Sequence, residues 1–282
     1  MMKLGNFSVL ILTYNEEDNI GRCIDSIASC DDIVVLDSNS TDATVSIAQE
    51  KGARVHHRAF DNYAAQRNYG LNDIEFKHDW VFMLDADEVV PTELGREIHA
   101  ALSTDSGRDV TMYRMRRKDF FLGRWIKYSS NYSSVWLGRL IRRGRVWVER
   151  EINEEYHTDG EIVSLEQALY HYPFNKGFHA WLEKHNRYST MEAEFKFSQG
   201  QQEWRFQDFW HRDPTVRRKS LKAFLYALPG MPLILFFGRY LGAGGILDGR
   251  SGLTFCLLKA FYEYMISCKV KELALRQNDL PV

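Results

Sequence analysis

An α/β fold on a mixed, mainly parallel sheet flanked by helices is what this sequence predicts, and two patterns in residues 1–90 predict it. Short apolar runs alternate with stretches whose apolar residues recur at helical spacing. A strand–helix–strand repeat of that length implies right-handed crossovers between parallel neighbours. A third pattern locates the chemistry. Successive runs end in acidic, amide or hydroxyl residues, and in open parallel sheets ligands gather beyond the carboxyl ends of the strands.

Residues 8–12 read as the first strand, and Ile20, Cys23, Ile24, Ile27 and Ala28 then share one helical face. Residues 33–36 form a second strand, followed by a polar turn and a helix through Val45, Ile47 and Ala48. A short third strand at 54–57 and a helix over 63–71 lead to the strand 80–84, which runs straight into Asp85, Ala86, Asp87 and Glu88. After a helix at 92–102 and a strand at 110–116, residues 135–141 and 146–148 flank 142–145 like an antiparallel hairpin. From residue 173 the chain reads as helical and aromatic, which divides it into 1–172 and 173–282. Two late segments, 223–238 and 253–268, are strongly apolar. The first contains Pro229, Gly230 and Pro232 and the second Lys259 and Glu263, whereas a membrane span needs roughly 20 predominantly apolar residues. With Arg212, Arg217, Arg218, Lys219 and Lys222 just upstream, this region reads as lying on an anionic membrane surface. The same apolar helices are open to a subunit interface in a homo-oligomer.

A chain of 282 residues with 45% hydrophobic and 26% charged residues is globular, long enough for one large domain or two small ones. Its net charge of −2 hides an asymmetry: residues 1–110 hold 9 Lys+Arg against 20 Asp+Glu, the remainder 27 against 18. The acidic part suits a metal, the basic part phosphates or an acidic membrane face; nucleic acid is not expected as a partner. Cys23, Cys30, Cys256 and Cys268 lack zinc-like spacing and have apolar neighbours, so buried free thiols in a reducing compartment are expected. The apolar run 7–12 is too short for a signal peptide, which places the protein in the cytoplasm.

Asp85 and Asp87, with Glu88 beside them, would repel one another unless something positive were bound, and a hard divalent cation sharing its shell with phosphate oxygens would serve. The first strand ends in Thr13, Tyr14, Asn15, Glu16 and Glu17, where Thr13-x-x-Glu16 also fits a capping box. The second ends in Asp37, followed by Ser38, Ser40, Thr41 and Asp42. Thr41 or Asp42 can cap the next helix, while Asp37 abuts the strand and is not needed as a cap. There is no GxGxxG after a first strand and no GxxxxGK[ST], and the Gly242–Gly245 cluster comes too late. Phosphates would therefore fall to a metal and to cationic side chains.

These four signals, the 13–17 and 37–42 tips, the 62–68 helix with Gln66, Arg67 and Asn68, and Asp85-Ala86-Asp87, resemble in order and spacing the family 2 glycosyltransferases of the GT-A fold. A looser likeness to lipopolysaccharide-core glycosyltransferases runs through residues 137–142, Ile152-Asn153-Glu154, 169–172 and 246–252. The resemblance implies that Thr13, Tyr14, Asn15, Glu16 and Asp37 contact the base and ribose of a nucleotide-sugar, a UDP-sugar first. Arg67 and Asp85 would lie by the ribose or diphosphate, with Arg139 steadying the latter. Asp87 with Asp85 would hold Mn²⁺ or Mg²⁺. Glu154, where relatives carry His-Glu and this chain Asn153-Glu154, would be the catalytic base, with Glu155 the competing choice.

The expected chemistry is single displacement with inversion. A metal stabilises the leaving diphosphate, and a carboxylate takes the acceptor hydroxyl's proton. Trp125 and Tyr128 are candidate platforms for a carbohydrate acceptor; His171 and residues 184–188 read as packing. The function so read is transfer of a hexose to a lipid-anchored surface glycan such as a lipopolysaccharide core, by an enzyme peripheral on the inner face of the cell membrane. The rivals are a polyprenyl-phosphate glycosyltransferase and a catalytically silent nucleotide-sugar-binding protein.

Overall fold

The computed structural model describes residues 6–281 apart from 105–106, 131, 133, 150–154, 199–205, 214–215, 218–219, 222–223 and 225–229. The chain forms two compact units, Met1–Trp125 with Asn131–Lys176, and Ile126–Ser130 with Gly177–Val282.

In the first unit β1 (Ser8–Thr13), β2 (Ile33–Asp37), β3 (Arg54–His57) and β4 (Trp80–Asp85) are linked by α1 (Glu17–Ser26), α2 (Thr44–Glu50) and α3 (Tyr63–Asn72). Then come β5 (Glu88–Val89), α4 (Thr92–Ser103), β6 (Val110–Phe121), β7 (Arg124–Trp125), β8 (Leu137–Arg142), β9 (Val146–Glu149), β10 (Glu155–Thr158) and β11 (Glu161–His171). The sheet order is β3-β2-β1-β4-β8-β6-β11-β5, with β7 on β6 and a separate β9–β10 pair. β1 to β4 run parallel, β8 enters antiparallel between β4 and β6, and β11 lies parallel to β6.

Alternation along the central strands sends Val9, Ile11, Val35, Phe82 and Leu84 to one face, where Ile20, Ala48, Leu94 and Ile98 of α1, α2 and α4 cover them. Leu10, Val34, Leu36, Val81 and Met83 go to the other face, under Ala64 and Leu71 of α3 and Val146 and Val148 of β9. Burial on both faces is why these strands read as unbroken apolar runs.

The expected 135–148 hairpin does not form. Leu140 and Ile141 are both fully buried, on opposite faces, so β8 needs strand neighbours on either side and takes them from β4 and β6. Gly144, at φ +72°, turns the chain out of the sheet, and β9 pairs with β10 instead. β6 also runs to Phe121, beyond the expected 116, and residues 116–119 pair in parallel with Ala168–His171 of β11.

The second unit holds α5 (Gly177–Ser198), α6 (Met231–Phe237), which continues as a wider turn to Gly242, and α7 (Gly249–Gln277). Trp181 and Ala193 of α5 and Phe255, Cys256 and Ile266 of α7 are buried. Lys269 Nζ donates to Ser189 Oγ and to the Asn186 carbonyl across the helix pair. Asp248, just before α7, accepts the backbone N–H groups of Lys127, Tyr128 and Ser129 at 3.1, 2.9 and 2.7 Å. No helix among the described residues is long and apolar enough to cross a membrane. All four cysteines are free, but Cys268 is exposed rather than buried, because it sits on the outer side of α7.

Candidate active site

Strand pairing brings the predicted tips together. Thr13 stands opposite Asp37, and Leu12 opposite Asp85 on the other flank of β1. The first two tips are then laced by side chains. Asn15, in a left-handed conformation at φ 51°, gives its N–H to Ser40 Oγ at 2.8 Å and accepts from the Thr41 N–H at 2.8 Å. Glu16 N–H reaches Thr44 Oγ1, Glu17 N–H reaches Asp42, and Ala43 N–H returns to the Glu17 carboxylate. Each loop therefore caps the helix that follows the other strand. The capping box expected of Thr13 and Glu16 is absent, since the Thr13 hydroxyl goes to Asp37 Oδ1 at 3.0 Å. Asp37 is fully buried and also accepts from the Ser40 N–H at 2.8 Å, so it braces its own loop rather than the N-terminus of α2. Of the five residues expected to contact base and ribose, Thr13, Tyr14, Asn15, Glu16 and Asp37, Tyr14 alone is openly exposed.

α3 supplies the next layer, and each of its signal residues has a task. Asn62 caps the helix through the Ala65 N–H. Gln66 donates to Ser38 Oγ, and Asn68 is doubly bonded to the Val148 backbone, fixing β9. Arg67, buried, places Nη2 3.1 Å from Asp85 Oδ1. Arg139 of β8, buried rather than solvated, bridges Asp85 Oδ2 and Glu88 Oε1, both at 2.7 Å. Its Nε is buried with no hydrogen-bond partner among the described residues. Burial alone would raise the Asp85 carboxyl, but the guanidiniums of Arg139 and Arg67 outweigh it and hold it well below the usual range.

Around Asp87 the structure adds residues that sequence reasoning missed. His171, the last residue of β11, sits with Nε2 3.2 Å from Asp87 Oδ2 and Nδ1 2.7 Å from Asp119 Oδ1. Burial and the Arg117 charge oppose its protonation; the two carboxylates prevail, and its pKa is raised. Arg117 lies 3.3 Å from Glu88 and 3.2 Å from Asp119. Lys176 Nζ is 3.0 Å from Glu16 Oε1. Burial, then the charge of Asp87, raises the Glu16 carboxyl. His171 could have been found by the rule that singled out Asp85, a polar residue closing an apolar strand, had β11 been recognised as a strand.

Arginines thus supply the positive charge that the acidic tips were expected to seek from a metal. Among the described residues no group of three or more His, Cys, Asp or Glu side chains is placed to hold an ion. An ion that brings phosphate and water as ligands needs only one or two carboxylates. Asp87, its side chain 14% exposed, fits that limited role better than Asp85, whose two oxygens are both held by guanidiniums. Glu154 lies outside the described residues; Glu155 begins β10. Trp125 lies on β7 under Lys118, while Tyr128 belongs to the other unit, its ring close to Gly244.

The family model described as Glycosyl transferase family 2 matches residues 8–179. The lipopolysaccharide core biosynthesis glycosyltransferase LpsC of Rhizobium meliloti (strain 1021) is 27% identical over 272 residues, covering 93% of this chain and 91% of that protein. The uncharacterized glycosyltransferase RT0209 of Rickettsia typhi (strain ATCC VR-144 / Wilmington) is 26% identical over 290 residues, covering 97% and 89%. Among solved structures, glucosyl-3-phosphoglycerate synthase from Mycobacterium tuberculosis in complex with Mn²⁺, UDP-glucose and phosphoglyceric acid aligns over 40% of this chain and 44% of that one, with 26% identity and a TM-score of 0.33.

Proposed function

The chain belongs to glycosyl transferase family 2, and on that premise we propose that it moves a hexose from a nucleotide-sugar, a UDP-sugar first, to a lipid-anchored surface glycan such as a lipopolysaccharide core, with inversion. The observation that carries this reading is the lateral pairing of three parallel strand tips, Thr13 opposite Asp37 and Leu12 opposite Asp85, with Asp85 in turn gripping the buried guanidiniums of Arg67 and Arg139. The near full-length likeness to LpsC supports the acceptor class.

In this reading Thr13, Tyr14, Asn15, Glu16 and Asp37 form the wall that receives base and ribose. Asp85 holds Arg67 and Arg139 with their charge directed at the tips, so that the diphosphate meets positive charge already in place and no side chain must reorganise. Mn²⁺ or Mg²⁺, held by Asp87 with Asp85 behind it, would supply Lewis-acid stabilisation of the leaving diphosphate. His171, fixed by Asp119, sets the orientation and charge of Asp87. Glu154 takes the proton of the acceptor hydroxyl, a contribution typically of about 10²–10⁴-fold.

The second unit is proposed to rest on an anionic membrane. Leu253, Leu257 and Phe261 recur every fourth residue as an exposed apolar stripe on α7, and Leu233, Ile234 and Phe237 are exposed on α6. Of the basic cluster upstream, Arg212 and Arg217 are described and exposed, whereas Arg218, Lys219 and Lys222 lie outside the described residues.

The test is a thermal-shift panel of UDP-, GDP- and dTDP-sugars with and without Mn²⁺, followed by transfer of labelled sugar to membrane lipid. UDP should stabilise the protein, the ion should strengthen the effect, and Asp87→Ala should abolish the ion's share. The product should be a glycolipid that survives mild acid, made on anionic vesicles in preference to zwitterionic ones. No nucleotide effect in the wild type would end the transferase reading; an acid-labile product would shift it to a polyprenyl-phosphate acceptor.

A further inference from the structure

Outside the charge-balanced cluster, β6 carries Arg114, Arg116 and Lys118 at alternate positions, so all three side chains leave one face of the sheet. Several other arginines of the first unit have carboxylate partners, among them Arg54 with Asp32, Arg108 with Glu161 and Arg145 with Asp109, while Arg143 is taken up by the Leu71 and Ile74 carbonyls. On β6 itself the intervening Arg117 holds Glu88 and Asp119. Arg114, Arg116 and Lys118 form no ion pair among the described residues, and their only side-chain hydrogen bond is from Arg114 to Ser164 at 2.8 Å. What they have instead are ring faces. Trp136 lies 5.4 and 5.0 Å from the guanidinium carbons of Arg114 and Arg116, and Tyr132 lies 5.0 Å from the latter. Lys118 Nζ stands 4.6 Å from the Trp125 ring and 5.3 Å from that of Tyr170. Ring faces orient a cation but do not neutralise it, so the row keeps its three positive charges.

The row also leads to the reaction centre. Phe120 stacks on Tyr172 at 4.9 Å, next to Tyr170 at 5.2 Å, and the Tyr172 N–H is bonded to the Asp87 carbonyl at 3.0 Å. At about 3.3 Å per residue the three cations span about 13 Å of strand.

Resting on the transferase reading, we propose that this row is an acceptor subsite for an anionic glycan. Arg114, Arg116 and Lys118 hold phosphate or carboxylate groups borne by the acceptor, sugar faces lie on the interleaved rings, and the reacting hydroxyl extends toward Asp87. Three fixed cations and the aromatic faces between them match a charged sugar chain, whereas a neutral acceptor would leave the charge unused.

The full chain, with UDP and Mn²⁺ present, is titrated by tryptophan fluorescence with a neutral trisaccharide, its 6-phosphate, and farnesyl phosphate. The phosphorylated trisaccharide should bind about tenfold tighter than the neutral one. That preference should collapse at high salt and in Arg116→Gln/Lys118→Gln, and partly return in Arg116→Lys. Farnesyl phosphate binding more tightly, with the same salt and variant dependence, would keep the anion site but assign it to a lipid phosphate. Equal binding of neutral and phosphorylated trisaccharide, or a preference unchanged in the variants, overturns the proposal. If the double variant does not fold, Arg114→Gln and Lys118→Gln singly should each lose part of the preference. UDP stabilisation, measured alongside, should be the same in wild type and variants. Its absence in the wild type would remove the donor reading and leave the anion preference to be judged by itself.

Discussion

Arg139 is the residue on which the charge balance of the tips turns. It is buried, it serves Asp85 and Glu88 at once, and in the proposed function it steadies the diphosphate. Removing one partner of a buried ion pair leaves the other charged and unsolvated, at a cost of about 3–5 kcal/mol. Here Arg67 still serves Asp85 and Arg117 still serves Glu88, so the low end applies. Arg139→Met should destabilise the protein by about 3 kcal/mol in chemical denaturation and abolish transfer. Adding Glu88→Gln, which removes the orphaned charge, should restore most of the stability but none of the activity. Stability restored together with activity would mean that Arg139 serves folding alone. In the sequence Arg139 was singled out through the resemblance, to steady the diphosphate from an expected hairpin; its burial follows from β8 entering the main sheet, a long-range pairing that no local pattern announces.

At the scale of elements, the parallel half was legible because buried strands are apolar on both faces and their helices keep a clear 3.6-residue period. β11 was not. Its pairing with β6 shifts register between Ser164 and Ala168, so the alternation expected of a strand breaks in the middle, and with it went His171. The strand tips were legible as polar, and their roles were not: the side chains of one loop cap the helix of its neighbour, a reciprocity that exists only once β1 and β2 are paired. The late 246–252 stretch, noticed only by resemblance, also has a structural account. Asp248 gathers three backbone N–H groups, and Gly252 passes so close to the Gly245 carbonyl that a Cβ would lie 2.3 Å from that oxygen and 2.9 Å from Ser129 Oγ. Because the nearest atom is backbone, relief requires the turn before α7 to move. Gly252→Ala should lower stability by about 1–3 kcal/mol, seen as a depressed melting temperature. An unchanged melt would show that the clasp is looser than these distances imply.

For the molecule as a whole, the two units respond differently to acid. The first unit's exceptional carboxylate, Asp85, is held ionised well below the usual range by its arginines. The second unit contains His185, its ring stacked 3.7 Å from the Trp181 ring and its Nδ1 2.9 Å from the Trp181 carbonyl. Burial pushes the His185 pKa down to about 4, the Trp181 carbonyl opposes that shift, and Lys259 and Lys184 add to it. A histidine depressed in the folded state takes up its proton in the unfolded chain first. Its neutral form therefore contributes stability above about pH 6.5, and that contribution drains away between about 6.5 and 4. The full shift corresponds to about 3 kcal/mol; solvent around a half-buried ring reduces this to about 1–2 kcal/mol. Wild type should thus lose more stability between pH 7.5 and 4.5 than His185→Phe, which keeps a flat ring on Trp181 but cannot be protonated. Parallel pH profiles of the melting temperature for the two proteins would show that the imidazole is solvated enough to titrate normally, and the acid sensitivity assigned to the α5–α7 pair would have to be sought elsewhere.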